Sequence, residues 1–326
     1  MRDVAEAAGV STATVSRALS GRRPVAPEIE RAVREASERL GYQANIVARS
    51  LRTQSTGTVG MVVPRISNPF FPAIVEAVER ELTVDDRQLL LCDSQGSVTT
   101  EWARVSALLA RQVDGLLVIA CDSAASESNV ALAAASVPVV QIDRVVRGST
   151  ADYVGTDDRA GVRLLVAHLR ERGARTFAFV SAEPVVTPAE IRLATYLETV
   201  GTTRGAEGGV LLGDFSYEWG QQAAHRLLDG RMPDAILCGA DLIALGLLST
   251  LTSAGVSVPR DVLITGYDDI GFAGLSNPPL TTVRQPMEEL GTQSVRLLKA
   301  RMEGDRGQTQ RRILQPTLVV RGSTSG

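Results

Sequence analysis

Two adjacent carboxylates, Asp268 and Asp269 of the stretch "GYDD", follow an apolar run that is typical of a buried strand. Paired carboxylates at the end of a strand can exchange protons with a substrate or accept hydrogen bonds from sugar hydroxyls. The two histidines, His168 and His225, offer no obvious base and no ligand cluster. The sequence also lacks G-x-G-x-x-G after the first strand, G-x-x-x-x-G-K-[ST] and G-x-S-x-G, which accompany nucleotide binding and serine hydrolysis. The carboxylates therefore indicate a binding site, and we expect no enzyme activity.

A second polar stretch, "STATVSRALSG" (11–21), lies near the start of the chain. Just upstream, "DVAEAAGV" (3–10) has apolar residues at helical spacing, and Ser11 is a favourable N-cap for a second short helix. A third helix follows, with Pro27 in its first turn and Gly41 at its end. Two short helices joined by a glycine-containing turn form a helix-turn-helix. Three helices in about forty residues bury little surface, so the unit either contacts a binding partner or caps a larger fold.

Charge and composition narrow the class of protein. Residues 1–56 carry nine arginines against six acidic residues, whereas the remainder carries 25 basic and 31 acidic residues. A basic segment on an acidic body suggests that the segment meets an anion, most simply nucleic-acid phosphate. Cys92, Cys121 and Cys238 are far apart, which is typical of buried cytosolic thiols and not of a disulfide or metal site. No apolar run spans a bilayer and the polar start is not a signal peptide, so a cytoplasmic protein without cofactor is expected.

From residue 57 onward, short apolar runs alternate with helical ones. The runs that predict strands are 57–64, 88–95, 113–120, 137–144, 176–182, 208–215, 234–240 and 262–269. Such alternation predicts parallel sheets with helical crossovers. The runs form two sets, near 58–156 and 157–285, which predicts an α/β body of two similar doubly wound subdomains. Ligands of such sheets bind beyond the carboxyl ends of the strands, here in the cleft between the subdomains.

The order of these parts closely resembles the lactose/galactose-repressor family of bacterial transcription regulators. The stretches that carry the resemblance are "DVAEAAGVSTATVSRALSG", "LGYQANIVARSLRT", "DAILCGADLIALG", "VPRDVLITGYDDI" and "NPPLTTVRQPMEELG". The resemblance implies an α-helical helix-turn-helix DNA-binding domain (1–44), a hinge helix and linker (45–56), and a periplasmic-binding-protein-like α/β effector and dimerisation domain (57–326). Within the last, the N-subdomain would take about 57–156 and 286–310, and the C-subdomain about 157–285 and 311–322.

In this family, the second helix of the helix-turn-helix domain lies in the major groove of operator DNA. The positions that this assigns to DNA contacts are Ser11, Thr12, Ala13, Thr14, Ser16 and Arg17. Thr12 and Ala13 fall where bases are read, and Arg17 is the best candidate for a bidentate contact to guanine, with a phosphate contact as the alternative. Thr14 and Ser16 would touch phosphates, with Asn45 as a further phosphate contact.

The stretch "NIVARSLRT" (45–53) matches the family's hinge, which folds into a short helix only on the operator. Leu51 would then wedge into the minor groove, with Ala48 beside it and Arg52 on the groove or a phosphate. The alternative is a plain interdomain linker.

The resemblance also implies that six residues in the cleft bind the effector. These are Phe70, Phe71, Asp157, Arg192, Phe215 and Asp268. Phe70 and Phe71 could instead be core residues, and Phe215 could serve packing alone. Asp157 could cap a helix, and Arg192 could form a surface salt bridge. The sequence departs from the family at Ala240, where a polar residue is usual, and at Thr195, where glycine is usual.

A homodimer that reads a pseudo-palindrome is implied, with a small effector, most simply a sugar, closing the cleft and changing operator affinity. Whether the effector releases or strengthens DNA binding stays open. The alternative function is a cytoplasmic sugar-binding protein whose DNA-binding head is non-functional.

Overall fold

A computed structural model of the protein describes residues 1–20, 25–41, 55–201 and 209–325. The chain divides into two units, Met1–Thr56 and Gly57–Gly326. No helix within the described ranges is both long and apolar enough to cross a membrane.

The first unit contains three helices, α1 (Arg2–Ala7), α2 (Thr12–Ser20) and α3 (Pro27–Arg39). Pro27 occupies the first turn of α3, as the sequence predicts. Each helix contributes two side chains to one small core, which consists of Val4, Ala5, Val15, Ala18, Val33 and Ala36. Because the apolar stripe of α2 points into this core, the remaining face of the helix is left for solvent or a partner.

The predicted N-cap of α2 is confirmed. The Ser11 hydroxyl accepts a hydrogen bond from the backbone N–H of Thr14 at 3.1 Å and lies 2.9 Å from the Thr14 hydroxyl. By contrast, Met1 precedes α1 without a side-chain capping bond. The start of α2 is therefore the better-fixed of the two helix starts.

Replacing Ser11 with alanine should destabilise the first unit by about 1 kcal/mol, because an N–H at the start of α2 loses its acceptor. Amide hydrogen exchange in α2 measures this directly. Ser11→Asp is the matched control, since aspartate also caps helices. Equal protection of the α2 amides in Ser11→Ala and in the native chain would contradict the capping role.

The first sheet of the second unit has six parallel strands in the order β11-β5-β4-β3-β1-β2. These strands are β1 (Thr58–Val63), β2 (Gln88–Asp93), β3 (Gly115–Val118), β4 (Val139–Ile142), β5 (Asp152–Thr156) and β11 (Arg311–Leu314). The helices around them are α4 (Phe70–Thr83), α5 (Val98–Ala110), α6 (Glu127–Ser136) and α11 (Met287–Met302). Met61 packs in one core cluster with Ile74 of α4, whereas Val62 packs in another with Leu108 of α5. Helices thus cover both faces of β1, which explains its nearly continuous apolar sequence.

The second sheet has four parallel strands in the order β7-β6-β8-β9. These are β6 (Phe177–Ala182), β7 (Val210–Gly213), β8 (Ala235–Cys238) and β9 (Leu263–Thr265). Its helices are α7 (Asp158–Glu171), α8 (Thr187–Val200), α9 (Tyr217–Leu228) and α10 (Asp241–Ser253). A two-stranded antiparallel sheet, β10 (Thr282–Arg284) with β12 (Thr317–Val319), packs through Val283 and Leu318 on the core of this subdomain.

The assignment of residues 311–322 to the second subdomain is wrong at its start. Strand β11 pairs with β5 in parallel, from Arg311 opposite Tyr153 to Leu314 opposite Thr156, and so belongs to the first sheet. The pairing satisfies backbone groups at the edge of β5. Only β12, further along the chain, joins the second subdomain.

Candidate functional site

Helix α2 presents a polar surface with one cation. Thr12, Ala13 and Arg17 are exposed, whereas Thr14 is half-buried and engaged by Ser11. The Arg17 Nε donates to the Ala13 carbonyl at 3.3 Å, one turn back along the helix. Small side chains beside an exposed guanidinium suit a helix that enters the major groove.

Several of the predicted DNA contacts cannot be placed. The residues Asn45, Ala48, Leu51 and Arg52 lie outside the described residues, as does the side chain of Ser16. The predictions for the hinge therefore stay predictions.

In the second unit, two cavities lie at the carboxyl ends of the strands, between the two large sheets. The outer cavity, which Pro64, Cys121 and Glu183 help to line, has a volume of about 310 Å³. The inner cavity, which Asp268 helps to line, has only about 20 Å³. The residues that border both are Asn68, Phe71, Arg144 and Phe215. The inner cavity holds about one water, so a larger ligand must widen it.

A third hollow, of about 590 Å³, lies beside Asp114, Val139 and Asp152 at the amino ends of β3, β4 and β5. Ligands of parallel α/β sheets bind at the opposite, carboxyl ends of the strands. The inner and outer cavities are therefore the candidate effector site.

Five of the six predicted effector residues surround the inner cavity, namely Phe70, Phe71, Arg192, Phe215 and Asp268. The Phe70 and Phe71 rings meet edge to face at 5.3 Å, and both residues belong to the core of the first subdomain as well as lining the cavity. Phe215 lines the cavities and also packs against buried residues of the second subdomain.

Asp157 does not border either cavity. Its carboxylate accepts a hydrogen bond from the Ala160 N–H at 3.0 Å and caps α7, which is the alternative role considered for it. The next residue, Asp158, turns inward and pairs with Arg192. Asp158 therefore reaches the inner cavity only through its partner Arg192, and Asp157 serves as a helix cap.

Arg192 is a buried ion-pair residue, only 3% exposed, and not a surface salt bridge. Its Nε lies 2.7 Å from Asp158 Oδ1, and its Nη1 donates to the Gly239 carbonyl at 2.7 Å. The guanidinium stacks 3.7 Å above the Tyr267 ring centre. Burial alone would lower the pKa of Arg192, but the Asp158 carboxylate raises it above the ordinary value. The cation is therefore permanent, and protein groups hold it in place.

The adjacent aspartates of "GYDD" face different partners. Asp268 is 5% exposed and accepts a hydrogen bond from Gln285 Nε2 at 2.7 Å, with Arg192 Nη1 at 3.9 Å. Burial raises the pKa of Asp268 to about 7, although Arg192 draws it down. Asp269 instead binds Arg284 and Arg321, each at 2.6 Å. Of these two aspartates, Asp268 borders the inner cavity and Asp269 does not.

Among the five residues of the inner cavity that sequence reasoning missed are Asp143, Arg144 and Gln285. The signal for the first two was present, because "QIDR" places charged residues directly after β4, at the ligand edge of the sheet. Burial raises the pKa of Asp143 to about 6, against the attraction of Arg144. Gln285 follows β10, a three-residue strand that periodicity does not reveal.

The two departures from the family pattern are both buried. Ala240 precedes α10 and offers no side-chain cap, and the Thr195 hydroxyl donates to the Ile191 carbonyl at 2.7 Å within α8. Neither side chain offers a free polar group to a ligand.

Comparisons with known proteins agree with this architecture. The profile described as bacterial regulatory proteins, lacI family, matches residues 1–45, and that described as periplasmic binding protein-like domain matches residues 166–324. The ribose operon repressor of Escherichia coli (strain K12) is 33% identical over 327 residues, which cover 99% of each chain.

Two solved structures extend the comparison. The lac repressor dimer bound to operator and the anti-inducer ONPF is 26% identical, with a TM-score of 0.87 over 99% of this chain and 98% of that one. The transcriptional regulator CelR in complex with cellobiose is 32% identical, with a TM-score of 0.74 over 98% of both chains. The chain therefore belongs to the lacI, or lactose/galactose-repressor, family of bacterial regulatory proteins and is a transcriptional regulator, not an enzyme.

Proposed function

We propose that the protein is a homodimeric repressor of the bacterial cytoplasm whose affinity for a pseudo-palindromic operator is set by a small sugar. The observation that carries the proposal is a cleft with buried hydrogen-bonding groups in the same chain as a helix-turn-helix with an exposed Arg17. The relatives support it, since one represses a ribose operon, one binds cellobiose, and one is a dimer bound to operator.

On the DNA side, Thr12, Ala13 and Arg17 read bases, and Thr14, Ser16 and Asn45 contact phosphates. Thr12 and Ala13 are short, so they contact a thymine methyl group or permit close approach, whereas Arg17 reaches guanine O6 and N7. In each subunit Leu51 wedges into the minor groove and bends the operator.

The test is selection of bound sites from a random duplex pool at physiological salt, followed by Arg17→Ala. The native chain should enrich a pseudo-palindrome, and Arg17→Ala should lose about 1–3 kcal/mol of discrimination at one base pair in each half-site. Arg34→Ala is the matched control, because that exposed arginine is paired with Glu30 on α3. A uniform loss across all sequences, with a shallower salt dependence, would instead make Arg17 a phosphate contact.

On the effector side, sugar binding must favour one of the two DNA-affinity states, by a coupling on the order of 1–3 kcal/mol. Operator titrations with and without sugar give the sign of the coupling, and hence tell an inducer from a corepressor. The alternative, a sugar-binding protein with a non-functional head, predicts sugar binding with no enriched DNA site under either condition.

A further inference from the structure

The second unit buries an arginine whose hydrogen bonding is incomplete. Arg144 is 9% exposed and borders both the inner and the outer cavity. Its Nη1 donates to the Ala120 carbonyl at 3.0 Å, but its buried Nε meets no hydrogen-bond acceptor among the described residues. A buried donor without a partner costs free energy, so its retention points to a ligand that supplies the acceptor.

The position of this guanidinium is fixed by its surroundings. Its central carbon lies 5.4 Å from the ring centre of Phe71 and 5.9 Å from that of Phe215, so it is held between two aromatic side chains. The preceding residue, Asp143, has a φ of +62°, and its carbonyl accepts a hydrogen bond from the Tyr153 hydroxyl at 2.9 Å. The turn after β4 thereby holds both charged side chains at the inner cavity.

The groups around Arg144 are acceptors. The Asp143 carboxylate lies 3.7 Å from Arg144 Nε, too far for a hydrogen bond but close enough to balance its charge. The Gln285 Oε1 is buried without a partner among the described residues, while its Nε2 is fixed by Asp268. One donor, Arg144 Nε, and one acceptor, Gln285 Oε1, thus remain unused beside the cavity, which matches a hydroxyl group, since a hydroxyl both donates and accepts.

The charges around the inner cavity disfavour an anionic ligand. Three buried carboxylates, Asp143, Asp158 and Asp268, face two guanidinium groups, Arg144 and Arg192. Above pH 7, where Asp268 is ionised, a phosphate or carboxylate on the ligand would add to this negative excess in a site that water does not screen. The Asp143 carboxylate therefore balances the charge of Arg144, and the remaining N–H groups of Arg144 can donate to neutral oxygens.

We propose that Arg144, neutralised by Asp143, is a specificity-determining residue that binds hydroxyl oxygens of an uncharged sugar and rejects its phosphorylated or acid forms. The inference rests on the proposed function and names the chemical class of the effector. It carries a further consequence, because removing the Asp143 charge would free Arg144 to bind an anion.

The experiment uses the full-length native protein, Arg144→Gln and Asp143→Asn. Asparagine tolerates positive φ, so the turn after β4 is kept. Arg147→Gln is the matched control, because Arg147 lies in the same loop but is exposed and paired with Glu190 at 2.9 Å. Calorimetric titration is carried out with D-ribose, D-glucose and cellobiose, and with ribose 5-phosphate, glucose 6-phosphate and gluconate.

The native protein and Arg147→Gln should bind at least one neutral sugar and none of the anionic ones. Arg144→Gln should weaken that binding at least about tenfold, and Asp143→Asn should gain affinity for the anionic forms. Anionic binding by the native protein, no binding of any neutral sugar, or an Arg144→Gln variant with native affinity would each overturn the inference.

Site selection on the same preparations separates the two proposals. If Arg144→Gln and the native protein enrich the same pseudo-palindrome but bind sugar equally, the inference fails and the proposed function stands. If neither protein enriches a site, with or without sugar, the proposed function fails regardless of the calorimetry.

Discussion

Replacing Arg192 with alanine is expected to lower the free energy of unfolding by about 3–5 kcal/mol, because the substitution leaves the buried Asp158 carboxylate without its partner. The Gly239 carbonyl also loses a donor, and Tyr267 loses the guanidinium that covers its ring. Urea unfolding at pH 7, followed by the fluorescence of Trp102 and Trp219, measures the loss.

A double variant serves as the control. Arg192→Met with Asp158→Leu removes both charges and keeps apolar volume, so it should lose much less stability than the single variant. Equal losses in the single and double variants would show that packing, not an uncompensated charge, is what Arg192 supplies. A lost sugar response in Arg192→Ala is evidence of a ligand contact only under conditions where the variant is folded.

Asp268→Asn is expected to abolish the sugar response while making the fold more stable at pH 8. The pKa of Asp268 is raised from an ordinary value of 3.8 to about 7 by burial. The folded state thus keeps a proton that the unfolded state releases, and the stability gained from it is lost as pH rises from about 4 through 7. Since asparagine does not ionise, the variant escapes a penalty of up to about 4 kcal/mol above pH 7.

The measurement is thermal unfolding of both proteins between pH 4 and 8. The difference in stability should be close to zero near pH 4 and largest at pH 8. Asp269→Asn is the control at the adjacent residue, where the carboxylate is paired with Arg284 and Arg321 and should bring no gain. Parallel pH profiles for Asp268→Asn and the native protein would rule out a buried, costly carboxylate at this position.

Elements whose folding is local were predictable from the sequence. The N-cap at Ser11 and eight of the ten parallel strands, all but β5 and β11, follow from residue type and spacing over a few positions. That Arg192 and Asp268 lie together was expected from the resemblance to the family, which implies that both are in the cleft.

Features that depend on tertiary structure were not predictable. The sequence "TDDR" does not show which aspartate caps α7 and which turns inward. That depends on the direction of the backbone between the end of β5 and the start of α7. The position of Arg144 depends on a positive φ at Asp143, and that conformation is held by the distant Tyr153 hydroxyl. Strand β11 has only four residues with alternating exposure, so its sequence does not identify its neighbour.

The pairing of β11 with β5 bears on biosynthesis. Gln310, just before β11, donates to the Asp152 carboxylate across 158 residues of chain. A ribosome needs on the order of 10–30 s to synthesise that length, and for this time the edge of β5 has no partner from its own sheet. An open strand edge is where nascent chains associate wrongly. Early release of this polypeptide from the ribosome would leave the first sheet one strand short, even with every cleft residue already made.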